Sequence, residues 1–206
     1  MISTFTAFFD ANVFFGPRLR SLIMELALTG LFRARWSEAV HAEWIAAVVR
    51  KRAKLTAADL ERTRRDMDQA VPDCLVGGYE HLMPVLSLPD EKDKHVLAAA
   101  IIARANVIVT FNEKHFPESS LAPYGLHTRH PDEFLLDIES ISPGQFIEAV
   151  AHDWNHYKAP HVRKLRQSSG EKRSPEHHEA SCGATSAHRI NRSPTVMTRR
   201  DSVSLE

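Results

Sequence analysis

The stretch Phe5-Thr6-Ala7-Phe8-Phe9-Asp10-Ala11-Asn12 constrains the fold more than any other part of the chain. It is a short apolar run with no polar face, ended abruptly by a carboxylate. A segment apolar on both faces is a strand buried on both faces, as in a parallel sheet covered by helices. In such sheets the ligand site lies beyond the carboxyl ends of the strands, so Asp10 falls where chemistry is expected. Asp10 capping a helix that begins near Pro17 explains the same residue without chemistry. Whether other carboxylates reach the same place decides between the two.

Helices and short strands alternate along the rest of the chain. Leu19, Leu22, Ile23, Leu26 and Ala27 recur at helical spacing before Gly30, and residues 31–36 form a second strand. Ser37 caps a helix carrying Val40, Trp44 and Ala47. Thr56 caps another, with Leu60, Met67 and Val71 inward, broken at Pro72. Residues 85–88 read as a short strand, 90–103 as a helix and 107–110 as a second buried strand. Residues 126–128 suit an edge strand, a helix starts at Pro131, and Ser142-Pro143 opens a last helix carrying Phe146, Ile147, Val150 and Trp154. The alternation predicts an α/β domain with a parallel sheet over residues 1–160. Residues 161–206 are Ser-, Arg- and His-rich without a period, and are expected to form a disordered, low-order basic tail.

Hydrophobic residues make up 43% of the 206, enough for a core. No run approaches the ~18 apolar residues of a membrane span, and the N-terminus lacks signal-peptide features, so a soluble, cytoplasmic protein is expected. Cys74 and Cys182 stand in unlike contexts and read as plain thiols. Residues 163–206 hold nine Lys/Arg against five Asp/Glu, leaving 17 against 21 in the first 162. A nucleic-acid partner would therefore have to meet local basic patches, because a domain-wide positive field is missing.

Two more carboxylates stand at apolar boundaries. Glu43 shares the stripe of Val40 and Ala47, and Asp93 relates to Val96 and Leu97 by i+3 and i+4. Acids converging on the strand ends at Asp10 and Thr110-Phe111-Asn112 would repel one another unless a cation sat among them. Hard oxygen donors suit Mg2+ or Mn2+, and the chemistry that follows is metal-assisted phosphodiester hydrolysis. The plainer alternatives are that Asp90 and Asp93 form a capping box and that the Glu43 head reaches water.

FFDANVFFGPRLRSLIMELALTGLFRARWSEAVHAEW, LPDEKDKHVLAAAIIARANVIVTFNEKHFP and PYGLHTRHPDEFLLD together resemble the PIN-domain ribonucleases, of the VapC-like toxin type found in bacterial toxin–antitoxin pairs. The likeness spans about residues 4–158. It implies a three-layer α/β/α sandwich with a short central parallel sheet, Mg2+- or Mn2+-dependent RNA cleavage, a cognate antitoxin and a homodimer. Carried over, Asp10, Glu43 and Asp93 are the metal-binding acids. Asn112 stands where many members place a fourth acid, and His115 where an Asp is common, so this side carries less charge. Asp90, Thr110 and Asn12 would support the site, Thr110 and Asn12 by bonding a carboxylate or a metal-bound water, with strand-end capping as the alternative.

RNA approaching an acidic cleft needs flanking cations. Arg50, Lys51, Arg52, Lys54, Arg62, Arg64 and Arg65 form the densest basic stretch, of which Arg62 to Arg65 read rather as a solvated helical face, and Arg18 and Arg20 stand beside the Asp10 loop. Val48, Val49, Leu55 and Leu60 on the 38–70 hairpin are expected to be partly exposed for an antitoxin or a second copy. His152 and His156 are spaced i, i+4 around Asp153, a superficial likeness to H-E-x-x-H. The Glu is replaced, no third ligand is evident, and Trp154 is expected on the buried face. Two other functions remain open. A haloacid-dehalogenase-like phosphohydrolase would use Asp10 as nucleophile but wants an Asp where Asn12 stands. A non-catalytic PIN-like module would bind RNA or a partner through a weakened metal site.

Overall fold

The computed structural model describes residues 5–52 and 54–168, with side chains to residue 156, so most of the tail expected over 161–206, Cys182 included, lies outside the described residues. In order, the elements are β1 (Thr6–Phe9), α1 (Ala11–Phe14), α2 (Pro17–Leu28), β2 (Arg33–Ser37), α3 (Glu38–Lys51), α4 (Ala57–Ala70) and β3 (Leu75–Val76). They continue with α5 (Lys94–Ile102), β4 (Val107–Val109), α6 (Glu118–Leu121), β5 (His127–Arg129), α7 (Pro131–Ile141) and α8 (Pro143–Ser168). The five strands pair in parallel in the order β3-β2-β1-β4-β5, and helices cover both faces in a three-layer α/β/α sandwich. No described helix is long and apolar enough to cross a membrane.

The central strands are buried from end to end, as their unbroken apolar composition requires. Alternation sends Phe9 to one face, where it meets the rings of Phe14, Phe32 and Phe134 at 5.5 to 6.0 Å. Ser37 caps α3 by accepting from the Val40 N–H, and Thr56 caps α4 with Asp59 in a reciprocal capping box. Thr56 holds the exposed Asp59 carboxyl below its ordinary value, chiefly through its backbone N–H.

A buried polar network ties α3 and α4 to the sheet. His41 Nδ1 accepts from Trp44 Nε1 at 2.9 Å; because an indole N–H only donates, the His41 proton sits on Nε2, which donates to Asp68 Oδ1 at 2.8 Å. The same Asp68 oxygen accepts from Trp36 Nε1 at 2.9 Å. Cys74 lies beside Asp68, and burial, with the Asp68 charge, pushes its thiol up to about 12. It stays a neutral thiol at physiological pH.

Several expectations need correction. Residues 80–85 form a 3-10 turn and 85–88 are not a strand; Leu86 and Leu88 are buried without joining the sheet. The edge strand on that side is the two-residue β3, too short to leave a periodic signal. On α8 Phe146 packs against the core, but the rest of the expected apolar stripe points outward: Ile147 is 63% and Trp154 50% exposed, while Asp153 takes a buried place and binds Arg18 at 3.1 Å and the Ser21 hydroxyl. The last helix runs to Ser168, past the boundary expected at 160. The 38–70 hairpin offers no such apolar patch, because Val48 and Leu60 are buried and Val49 and Leu55 pack against the core.

Candidate active site

The chain leaves β1 toward β2 and later returns to its other side at β4, so β1 and β4 flank the point where strand order reverses. A crevice opens beyond the carboxyl ends of strands at such a point. Here it is a cleft of about 610 Å3 lined by Asp10, Asn12, Phe15, Glu43, Trp44, Arg50, Lys51, Lys92, Asp93 and Asn112. Asp10 follows β1, Asn112 follows β4, Glu43 comes from α3 and Asp93 from the start of α5.

Asp10 is 5% exposed, and three donors hold its carboxylate. Oδ1 accepts from the Ala11 N–H at 2.6 Å, capping α1 instead of the helix at Pro17. Oδ2 accepts from Asn12 Nδ2 at 2.6 Å and from the Thr110 hydroxyl at 2.7 Å. Thr110 Oγ1 in turn accepts from Asn12 Nδ2 and the Asn112 N–H, both at 3.0 Å, and Asn12 Oδ1 accepts from the Phe111 N–H at 3.1 Å. Two strand ends 100 residues apart are thereby locked together. Thr110→Val removes a fully buried hydroxyl from this lock and is expected to destabilise the protein by about 1–3 kcal/mol. A urea midpoint unchanged from wild type would show that the lock contributes nothing.

Burial lifts the Asp10 carboxyl above its ordinary value; the bonds from Thr110 and Ala11 oppose the rise, and the charges of Asp93 and Glu43 add to it. That the three acids feel one another is a property of the fold, and a cation among them would remove the repulsion. Glu43 is not on a buried stripe as its helical spacing suggested. It is exposed to the cleft, with Oε1 accepting from His95 Nε2 at 3.0 Å. His95 itself is buried, and its Nδ1 has no partner among the described residues.

Asp93 begins α5 without capping it through its side chain, so the capping box with Asp90 does not form and Asp90 caps only the 3-10 turn at 91–93. The freed Asp93 Oδ2 accepts from His115 Nδ1 at 2.8 Å. Asp90, Asp93 and His115 place one donor atom each within 4.8 Å of one another. Asp10 and Glu43 stand outside this group, and of its members Asp93 alone lines the cleft with them. The oxygen-rich donor set fits a hard divalent cation, with His115 as a nitrogen donor that Mn2+ accepts more readily than Mg2+.

The six basic candidates divide. Arg50 and Lys51 line the cleft, and Lys51 Nζ stands 5.0 Å from the centroid of the Phe15 ring. Arg52 and Lys54 are exposed beyond the end of α3 and do not belong to the cleft lining. Arg18 is taken by Asp153, and Arg20 donates to the Phe14 carbonyl at 2.6 Å with its guanidinium 4.7 Å from the centroid of the Trp44 ring. Burial lowers the pKa of Arg20, with the Arg52 charge adding to the effect. Lys92, His95 and His115 were not chosen as site residues from the sequence. Their signal was proximity to Asp93 and Asn112, which alone does not distinguish a cleft residue from a surface one.

Residues 6–114 match the family described as PIN domain. A protein of Mycobacterium tuberculosis (strain ATCC 25618 / H37Rv) named "Putative ribonuclease VapC50" is 53% identical over 60 residues, covering 29% of this chain and 35% of that protein. The chain thus spans about a third of the length of the curated relative it matches. No solved structure matches it.

Proposed function

Since the chain belongs to the PIN-domain family, we propose that it is a metal-dependent endoribonuclease that hydrolyses RNA phosphodiester bonds, and the toxin of a toxin–antitoxin pair. The observation that carries this reading is the gathering of Asp10, Glu43 and Asp93, with Asn112, in one cleft at the strand-order reversal. The similarity to a protein named as a ribonuclease supports it.

In this reading Asp10, Glu43 and Asp93 hold Mg2+ or Mn2+, with Asp90 and His115 beside Asp93. An ion held by these residues would supply Lewis-acid charge for phosphodiester hydrolysis. The protein's own part is positioning. Thr110 and Asn12 hold the Asp10 carboxylate, His95 steadies Glu43 and His115 steadies Asp93. Arg50, Lys51 and Lys92 neutralise phosphates along the cleft, and Asn112 brings a polar amide without charge. Arg52 and Lys54 extend the basic track past α3, whereas Arg18 and Arg20 keep the structural partners described above. Phe111, exposed next to Asn112 and edge-on to the His130 ring at 5.0 Å, offers a face on which a base can stack.

As a toxin the chain would be held inactive by a cognate antitoxin and act as a homodimer in the cytoplasm. The test is RNA cleavage by the full chain with Mg2+ or Mn2+ added: cleavage is expected, and EDTA is expected to abolish it. Growth arrest on expression, relieved by a small protein encoded beside it, would establish the toxin role. A second reading, a non-catalytic module that binds RNA or a partner, is favoured by the uncharged Asn112 and by His115 in place of an acid. Absence of cleavage for every RNA offered, with tight binding retained, would select it.

A further inference from the structure

We propose that His152 and His156 of α8, braced by Glu25 of α2, form a surface site for one borderline transition-metal ion, Zn2+ foremost, separate from the acidic cleft. One helical turn places the two imidazoles on the same face, with ring centroids 4.3 Å apart and Nε2 atoms 3.2 Å apart. Two nitrogens bound to one tetrahedral Zn2+ at about 2.0–2.1 Å stand about 3.3 Å from each other, so the pair already has chelating separation.

Glu25 sets the tautomer. His152 Nδ1 lies 2.7 Å from Glu25 Oε2, and a carboxylate can only accept, so Nδ1 carries the proton and Nε2 presents a lone pair toward His156. This carboxylate–imidazole arrangement is the outer-shell bond that orients metal-ligating histidines. Without an ion, His156 Nε2–H can donate across the 3.2 Å gap. On binding, the His156 proton moves through solvent to Nδ1, both Nε2 lone pairs face the ion, and no net proton is released. Water completes the coordination, since both imidazoles are exposed.

The donor chemistry separates this site from the cleft. Imidazole pairs suit Zn2+, Cu2+ and Ni2+, whereas Mg2+ and Ca2+ prefer oxygen. Glu25 reaches His152 from α2, so the site spans two helices that Asp153 already connects through Arg18 and Ser21, and an ion bound only by the folded chain would stabilise it.

The test is calorimetric titration of the full chain with Zn2+ in excess Mg2+, comparing wild type with His152→Ala, His156→Ala and Glu25→Gln. Each histidine variant is expected to lose one equivalent of Zn2+, together with the Zn2+-dependent rise in Tm. Glu25→Gln is expected to weaken that equivalent about tenfold. A His177→Ala/His178→Ala variant is expected to keep it, which separates the site from that adjacent histidine pair. Identical isotherms for wild type and His156→Ala, or no saturable Zn2+ binding, would overturn the proposal. RNA cleavage is expected to be unchanged in the histidine variants, so this site and the cleft fail or stand independently.

Discussion

Asp93→Asn is expected to lower RNA cleavage by about a hundredfold or more while leaving the protein folded. A metal ligand accounts for several kcal/mol of transition-state stabilisation, and each 1.36 kcal/mol is about a factor of ten in rate. Asp93 groups with Asp90 and His115 and faces Asp10 across the cleft, so it is central to any ion held there. Its side chain makes no cap bond to α5, and the amide can keep its contact with His115, so the fold loses little. The measurement is single-turnover cleavage at saturating Mn2+, with circular dichroism as the folding check. A rate within threefold of wild type would remove Asp93 from the chemistry and with it the proposed metal centre.

Asp68→Ala is expected to cost about 3 kcal/mol or more, because it strands the buried donors Trp36 Nε1 and His41 Nε2 at roughly 1–3 kcal/mol each. Arg64 Nε, buried and without a hydrogen-bond partner 3.8 Å from Asp68, would lose that carboxylate as well, while the other guanidinium nitrogens keep Glu38 and Glu61. Asp68→Asn keeps one acceptor oxygen and should lie between alanine and wild type. Urea unfolding followed by tryptophan fluorescence reads this directly, since Trp36 and Trp44 both belong to the network. A loss below 1 kcal/mol for the alanine variant would mean that water replaces the carboxylate. Trp44 also lines the cleft, so the network supports part of its wall.

Strong local signals in the sequence correspond to regular elements in the fold. The doubly apolar Phe5–Phe9 run and the β-branched Val107–Val109 run are adjacent central strands, and Ser37, Thr56 and Pro131 start helices. Elements with weak local signals were illegible. β3 is two residues long, and residues 80–85 coil in a 3-10 turn that carries no period of its own. The α8 stripe misled because apolar periodicity finds a face without saying what lies against it. That helix buries Asp153, whose burial is tolerated only because Arg18 and Ser21 on α2 meet it.

The same division runs through the candidate site. Asp10 and Asp93 are legible as acids at a strand end and a helix start, whereas the spacing of Glu43 suggested a buried stripe that the fold does not give it, and the resemblance named all three. Their partners were not: Arg18 and Arg20 look like phosphate contacts until the fold brings Asp153 and the Phe14 carbonyl to them. Only the fold brings His95 and His115 to Glu43 and Asp93, across 52 and 22 residues. Composition and periodicity by themselves determined the class of fold, the order of its main elements and which carboxylates stand at strand and helix ends, because those follow from spacing along the chain. Only the tertiary structure decided which cations were committed elsewhere, which acids were braced and which face of α8 was buried. Those outcomes depend on distances between residues far apart in sequence, and no local pattern encodes such a distance.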